Sequence, residues 1–341
     1  MKIAVIGAGS FGTAIAWLLA NQGHSVSLWA RDERVVDGIN AEHVNPRYLS
    51  DTLLPQTLSA SSDRAVILKD AEAVVFVSPS AALRDMSGAC APHIAPDVPI
   101  IVLTKGVEAH SSKLMIEVLE DTLGNRDRLA ALSGPTHAEE IVLGYPTSAV
   151  ITAYRDETAA FFQTLFSTPL MRIYTSADVT GVELCGAAKN IMAIIVGASY
   201  GMGYGDNTAA LIMTRGLAEI SRLVCACGGE SLTCMGLAGM GDLIVTCTSR
   251  HSRNRRFGES LAQGGSLEEF QERTHMVVEG AVACGSICEL ASHHDVEMPL
   301  SEALRRVVEQ HETPHDLVEE ILSRPETIEF YGIPDRGNLN G

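Results

Sequence analysis

One hexapeptide near the start of the chain restricts the fold more than any other feature. Gly7-Ala8-Gly9-Ser10-Phe11-Gly12 follows the apolar run Ile3–Ile6 and opens the apolar helical stretch Thr13–Asn21. A G-x-G-x-x-G between a strand and a helix is a dinucleotide-binding turn. Gly7 permits the tight turn, Gly9 lets a pyrophosphate approach the backbone, and Gly12 lets the helix lie close to the strand. The helix start then offers N–H groups and a positive dipole end to the anion.

The end of the next strand reads the ribose. Ser25–Ala30 is followed by Arg31 and then Asp32. An acidic residue there suits NAD, whereas an arginine accommodates a 2′-phosphate. Arg31 comes first, so NADP is the expected cofactor, with NAD left open through Asp32.

Up to about residue 175 short apolar runs alternate with amphipathic ones. The runs are Ile3–Ile6, Val26–Trp29, Val74–Val77, Ile100–Leu103, Leu129–Leu132 and Ala149–Ile151. Several are apolar at every position, as strands covered on both faces are. Helical stretches such as Ser80–Ala91 and Ser111–Leu123 lie between them. After about residue 178 the strand signal stops, and 178–197, 208–226, 255–263, 277–291 and 301–308 read as helices. The expected architecture is a doubly wound, mostly parallel α/β dinucleotide-binding domain (1–178) followed by an all-α C-terminal domain (179–326). The two would join through a helix and share a cleft. Residues 327–341 read as a tail, with the last dozen loose.

Composition narrows the partners. With 25 basic and 42 acidic residues the formal charge is −17, the wrong sign for a nucleic-acid binder. Eight cysteines in 341 residues are too few for a disulfide scaffold, and none stands in a C-x-x-C pair. Buried free thiols are expected, and no metal site. Residues 3–30 carry no charged side chain, but Gly7, Gly9 and Gly12 interrupt any signal-peptide core, and Ser10, Thr13, Asn21, Gln22 and His24 spoil a membrane span. A cytoplasmic protein without a membrane span is expected.

Three further features carry chemistry. Lys105 stands directly after the apolar strand 100–103, at the carboxyl end of the sheet where open α/β folds bind ligands. Gly134 and Thr136, in Ser133-Gly134-Pro135-Thr136, repeat that placement after the next strand. Lys189 is the only ionisable residue between Glu183 and Asp206 apart from Cys185 and two tyrosines. Lysine is rarely buried without a task, and desolvation moves an amine toward the range useful for proton transfer. Asn190 beside it could orient a substrate, and Asp242 could hold Lys189 or a substrate hydroxyl. Finally, 247–256 carries four arginines in this acidic chain. Ser252 reads as an N-cap, placing Arg253 and Asn254 in a first helical turn. Basic residues are unfavourable there, unless a bound phosphate reverses the penalty.

Taken together, these blocks resemble the bacterial-type NAD(P)-dependent glycerol-3-phosphate dehydrogenases. The matching stretches are GAGSFGTA at 7–14, LTKGVE at 103–108, LSGPTHAEE at 132–140, AAKNIMAI at 187–194, GDNTAALIMTRGLAEI at 205–220, GLAGMGDLIVTCTSRHSRNRRFG at 236–258 and VVEG at 277–280. The resemblance implies interconversion of sn-glycerol 3-phosphate and dihydroxyacetone phosphate, supplying phospholipid synthesis, with a homodimer expected. It implies that Lys189 gives and takes the proton. It implies that Lys105, Gly134, Thr136, Asp242, Ser252, Arg253 and Asn254 contact substrate. Ser10, Phe11, Arg31, Lys105, Ala138, Arg253, Val278 and Glu279 would contact the nucleotide. Thr136-His137 and His251 depart from the family's usual pattern. Another two-domain NADP-dependent hydroxyacid dehydrogenase is the alternative, and the arginine-rich turn argues against it, because a substrate without phosphate does not need one.

Overall fold

The computed structural model describes residues 1–274, 277–315, 318, 323, 325, 328, 329 and 331–333. The chain forms two units. The first comprises Met1–Lys105 and Met115–Val179, and the second Gly106–Leu114 and Thr180–Gly341. The short segment 106–114 thus departs from a single division at 178/179. Val107 and Leu114 form an antiparallel bridge inside it, so the helix expected from Ser111 begins only at Met115.

The first unit is built on an eight-stranded sheet in the order β3-β2-β1-β4-β5-β6-β7-β8. The strands are β1 (Lys2–Ile6), β2 (Ser25–Trp29), β3 (Leu58–Ser61), β4 (Ala73–Phe76), β5 (Ile100–Val102), β6 (Leu129–Ser133), β7 (Thr147–Ala153) and β8 (Met171–Ser176). All pairs are parallel except β6 with β7. The central strands β4 and β5 are buried at every position, because helices cover both faces. These helices are α1 (Ser10–Asn21), α2 (Glu33–Asp37), α3 (Arg64–Leu68), α4 (Leu83–Cys90), α5 (Met115–Leu123), α6 (Ala138–Val142) and α7 (Asp156–Phe166). The core joins Ile3 and Val5 of β1 with Ile15 and Leu19 of α1 and Phe162 and Phe166 of α7.

The second unit is helical beyond residue 179. Its helices are α8 (Val179–Gly201), α9 (Asp206–Ala226), α10 (Ser231–Cys234), α11 (Asp242–Thr248), α12 (Arg253–Leu261), α13 (Leu267–Thr274), α14 (Glu279–His293) and α15 (Pro299–Gln310). Helix α8 is mostly apolar, with Glu183, Lys189 and Asn190 among its buried polar exceptions, and a helix of that kind belongs in a core. Its most apolar stretch has a mean hydropathy of 1.5, enough by length and composition to cross a membrane, yet 89% of that stretch is buried inside the protein. Ser231–Thr248 meets the same length and hydropathy test with 39% buried. Backbone-on-backbone packing seats α12 on α8. A side chain at Gly258 would meet the Ala198 amide at 2.7 Å, and one at Gly197 would meet Cα of Arg255 at 3.0 Å.

Glu219 of α9 is 2% exposed. It accepts hydrogen bonds from the Leu300 amide at 2.7 Å and the Ser301 amide at 3.3 Å, capping the start of α15. Burial pushes its carboxyl from the ordinary 4.5 up to about 7, against those two amides and the nearby Arg222. Between these values the folded chain keeps a proton that the unfolded chain has released, so stability falls as pH rises from about 4.5 to 7. Glu219→Gln should flatten this dependence. The drop in thermal midpoint between pH 5 and pH 7.5 is expected to be smaller in the variant, and equal drops would rule out Glu219 as its source.

Part of the tail expected at 327–341 is docked, not loose. Tyr331 lies under the Arg222 guanidinium at 4.4 Å, and the Glu329 carbonyl accepts from Arg215 at 2.6 Å. A guanidinium stacked on a ring and a backbone hydrogen bond hold this stretch on α9. Residues 327, 330 and 334–341 lie outside the described residues.

Candidate functional site

The phosphate cradle in the first unit fits a dinucleotide on structural grounds. Gly7 has φ +123°, and a side chain there would run into the Val77 carbonyl. A side chain at Gly12 would run into the Gly7 carbonyl, whereas one at Gly9 would meet nothing within 4 Å. The open space is therefore at the position where a pyrophosphate approaches. No side chain caps α1 at Gly9, and its first turn carries no acidic residue, which leaves the helix start suited to an anion. Ser10 and Phe11 form its first turn, half-buried, and Phe11 packs on the core.

Other predicted residues lie around the same sheet end. Arg31 is exposed, two residues beyond β2. Lys105, beyond β5, donates from Nζ to the Gly134 carbonyl at 3.0 Å, and Thr136 donates to that carbonyl at 3.1 Å. Gly134 has φ +132°, a conformation that side chains resist. Lys105, Gly134 and Thr136 thus converge on one carbonyl beyond β5 and β6. Ala138 begins α6 and is buried.

Asn45 and Arg47 did not figure among the predicted site residues. Asn45 is fully buried. Its Nδ2 donates to the Ala8 carbonyl at 3.1 Å and to Thr13 Oγ1 at 2.8 Å. Its Oδ1 accepts from the amides of Arg47 and Tyr48, each at 3.1 Å. The side chain therefore pins the 45–48 segment onto the glycine turn. The available signal was an Asn-Pro-Arg-Tyr run in a loop, which periodicity does not detect.

The second unit buries the lysine that the sequence singles out. Lys189 is 5% exposed, on α8. Its Nζ donates to Asp242 Oδ1 in a short ion pair and to Thr246 Oγ1 at 2.9 Å. Asp242 is 2% exposed at the head of α11. Thr246 sits one turn later and donates to the Asp242 carbonyl at 2.6 Å, so one helix presents both groups to the amine. Thr246 was also missed; its signal was the four-residue spacing from Asp242. Burial pushes the neighbouring Cys247 thiol up to about 12, even with Lys189 and Arg255 opposing it. A thiol held neutral is a poor nucleophile.

Beside the amine lies a connected amide network. Asn254 donates to Asn190 Oδ1 at 2.9 Å and accepts from the Gly280 amide at 2.9 Å. Ser252 caps α12, accepting from the Arg255 amide at 3.2 Å. Ser252 and Asn254 are buried, while Arg253, next to both, is exposed. Val278 is fully buried. Glu279 begins α14. Among the described residues there is no cluster of three or more His, Cys, Asp or Glu able to hold a metal ion.

Comparison with known proteins follows the same division of the chain. Residues 2–159 match the family model described as NAD-dependent glycerol-3-phosphate dehydrogenase N-terminus, and residues 178–319 match the corresponding C-terminus. A glycerol-3-phosphate dehydrogenase [NAD(P)+] of Corynebacterium urealyticum is 43% identical over 326 residues, covering 95% of this chain and 98% of the relative. One from Syntrophomonas wolfei is 43% identical over 337 residues, covering 98% of each. The crystal structure of a glycerol-3-phosphate dehydrogenase from Coxiella burnetii superposes with a TM-score of 0.90 at 38% identity, covering 94% of this chain and 98% of that one.

Proposed function

The chain belongs to the NAD-dependent glycerol-3-phosphate dehydrogenase family, and from that membership we propose that Lys189 is its proton donor and acceptor. The chain is an NAD(P)-dependent oxidoreductase that interconverts sn-glycerol 3-phosphate and dihydroxyacetone phosphate. The observation that carries the assignment of Lys189 is its burial at 5% exposure with Nζ on Asp242 and Thr246. A buried ion pair is a poor source of stability, since well-packed apolar residues often serve as well or better. Its presence in a helical core is accounted for by a task.

The chemistry a bound nicotinamide would supply here is hydride transfer. The Lys189 ammonium protonates the developing alkoxide during ketone reduction, and the neutral amine removes the hydroxyl proton during alcohol oxidation. Asp242 favours the charged amine and Thr246 fixes its direction. Gly7, Gly9, Ser10, Phe11 and Gly12 would hold the pyrophosphate. Lys105, Gly134 and Thr136 are assigned to substrate, with Lys105 and Ala138 also serving the nucleotide. Ser252, Arg253 and Asn254 hold the phosphate end, with Arg253, Val278 and Glu279 adjoining the nucleotide. Arg31 makes NADP the preferred form. The low cysteine count, eight in 341 residues with no C-x-x-C pair, supports a reducing compartment and the cytoplasm. Exposed Leu232, Met235 and Ile244 support a homodimer.

The direct test is loss of NADPH absorbance on adding dihydroxyacetone phosphate; no turnover would overturn the assignment. Arg253→Ala should raise KM for dihydroxyacetone phosphate about 10- to 100-fold, the range of one charge-assisted hydrogen bond of roughly 1.5–3 kcal/mol. An unchanged KM and kcat would remove Arg253 from the site.

A further inference from the structure

The end of β2 shows an arrangement that arginine or aspartate alone would not. Asp32 stands at the position where a carboxylate would take the ribose hydroxyls, but its oxygens are occupied. Oδ1 accepts from the Arg34 amide at 3.1 Å and from Arg34 Nε at 3.2 Å. Oδ2 accepts from Arg34 Nη2 at 3.0 Å, and Arg47 Nη1 lies 3.7 Å from the same oxygen. The fork of Arg34 holds this carboxyl below the usual range. Two guanidinium groups thus meet at Asp32, and the exposed Arg31 precedes it in sequence. Arg47 is not there by chance of a long side chain. Its backbone is tied through Asn45 to the Ala8 carbonyl inside the phosphate turn, and its side chain is 46% exposed, within reach of a ligand.

We propose that Arg47, together with Arg31, grips the 2′-phosphate of the phosphorylated dinucleotide, and that Asp32 anchors Arg34 and Arg47 and does not accept from the ribose. The proposal rests on the reading that this turn binds a dinucleotide. It explains how a chain with an acidic residue at this place can still favour the phosphorylated cofactor. Paired with guanidinium, the aspartate no longer repels an anion, and a guanidinium presents a planar fork matched to phosphate.

Calorimetric titration of the full chain with adenosine 2′,5′-bisphosphate and with 5′-AMP separates the possibilities. Arg47→Ala should weaken the bisphosphate at least 10-fold while 5′-AMP changes less than twofold. Bisphosphate affinity within twofold of native would overturn the proposal. Equal losses for both probes would also overturn it, since Arg47 would then serve the shared adenosine or the fold. Asp32→Asn, which keeps a capping oxygen, should change NADH affinity less than threefold; a tenfold loss would return Asp32 to the ribose. If the native chain binds neither probe, the dinucleotide reading itself fails, an outcome distinct from an Arg47 variant that behaves as native.

Discussion

Lys189→Ala is expected to bind NADPH with near-native affinity and to lose turnover by about 10²- to 10⁴-fold, the range of one general acid–base group. The loss should fall on kcat and on kcat/KM alike, because the proton moves only in the transition state. The substitution leaves Asp242, 2% exposed, without the amine that faces it, and stranding a buried charge costs about 3–5 kcal/mol. Thermal unfolding and cofactor binding must therefore be measured beside rate. Lys189→Met, which keeps most of the volume, separates lost packing from lost chemistry and should be as inactive as the alanine variant. Added alkylamine should restore part of the rate in Lys189→Ala, since a small amine fits where the side chain was removed. A kcat within tenfold of native in a folded, cofactor-binding variant would overturn the assignment.

What the sequence disclosed, and what it did not, divides along physical lines. The six apolar runs became strands β1, β2 and β4–β7, because a strand covered on both faces needs no alternation to be recognised. The two strands left out, β3 and β8, are the two edges of the sheet. Their burial alternates (buried Leu58 and Ala60, buried Met171 and Ile173) and their outward faces carry Ser59, Arg172 and Tyr174, so they lack the signature of the centre. Lys189 stood out because a charge in an apolar helix is conspicuous, and its pairing with Asp242 was among the expected options. Asn45, Arg47 and Thr246 stayed hidden. Asn45 and Thr246 act through hydrogen bonds to groups distant in sequence or one helical turn away, Arg47 pairs with Asp32 fifteen positions earlier, and spacing alone assigns no such partner. Arg253 was placed by its N-cap neighbour Ser252, and the structure agrees with that cap, while Arg253 itself is exposed.

Asp242→Asn should move the pH dependence of catalysis as well as its speed. The carboxylate faces a buried amine and favours its charged form; asparagine keeps the shape and an oxygen near Nζ but supplies no countercharge. A buried ammonium so exposed to its own desolvation cost gives up its proton. Reduction of dihydroxyacetone phosphate needs the ammonium and oxidation of glycerol 3-phosphate needs the amine. The variant's reduction rate should therefore decline at neutral pH, with the remaining activity displaced toward acid, and oxidation should suffer less. Stability should fall by about 3–5 kcal/mol, the cost of breaking a buried pair. Thr246, hydrogen-bonded to the backbone of Asp242 at 2.6 Å, stays in place because that contact involves no side-chain atom of residue 242. The measurement is a pair of pH–rate profiles, one in each direction, on native and variant chains. Profiles that drop in parallel without any displacement would mean that Asp242 only holds the helix pair together, and that the charge of the amine is set by something else.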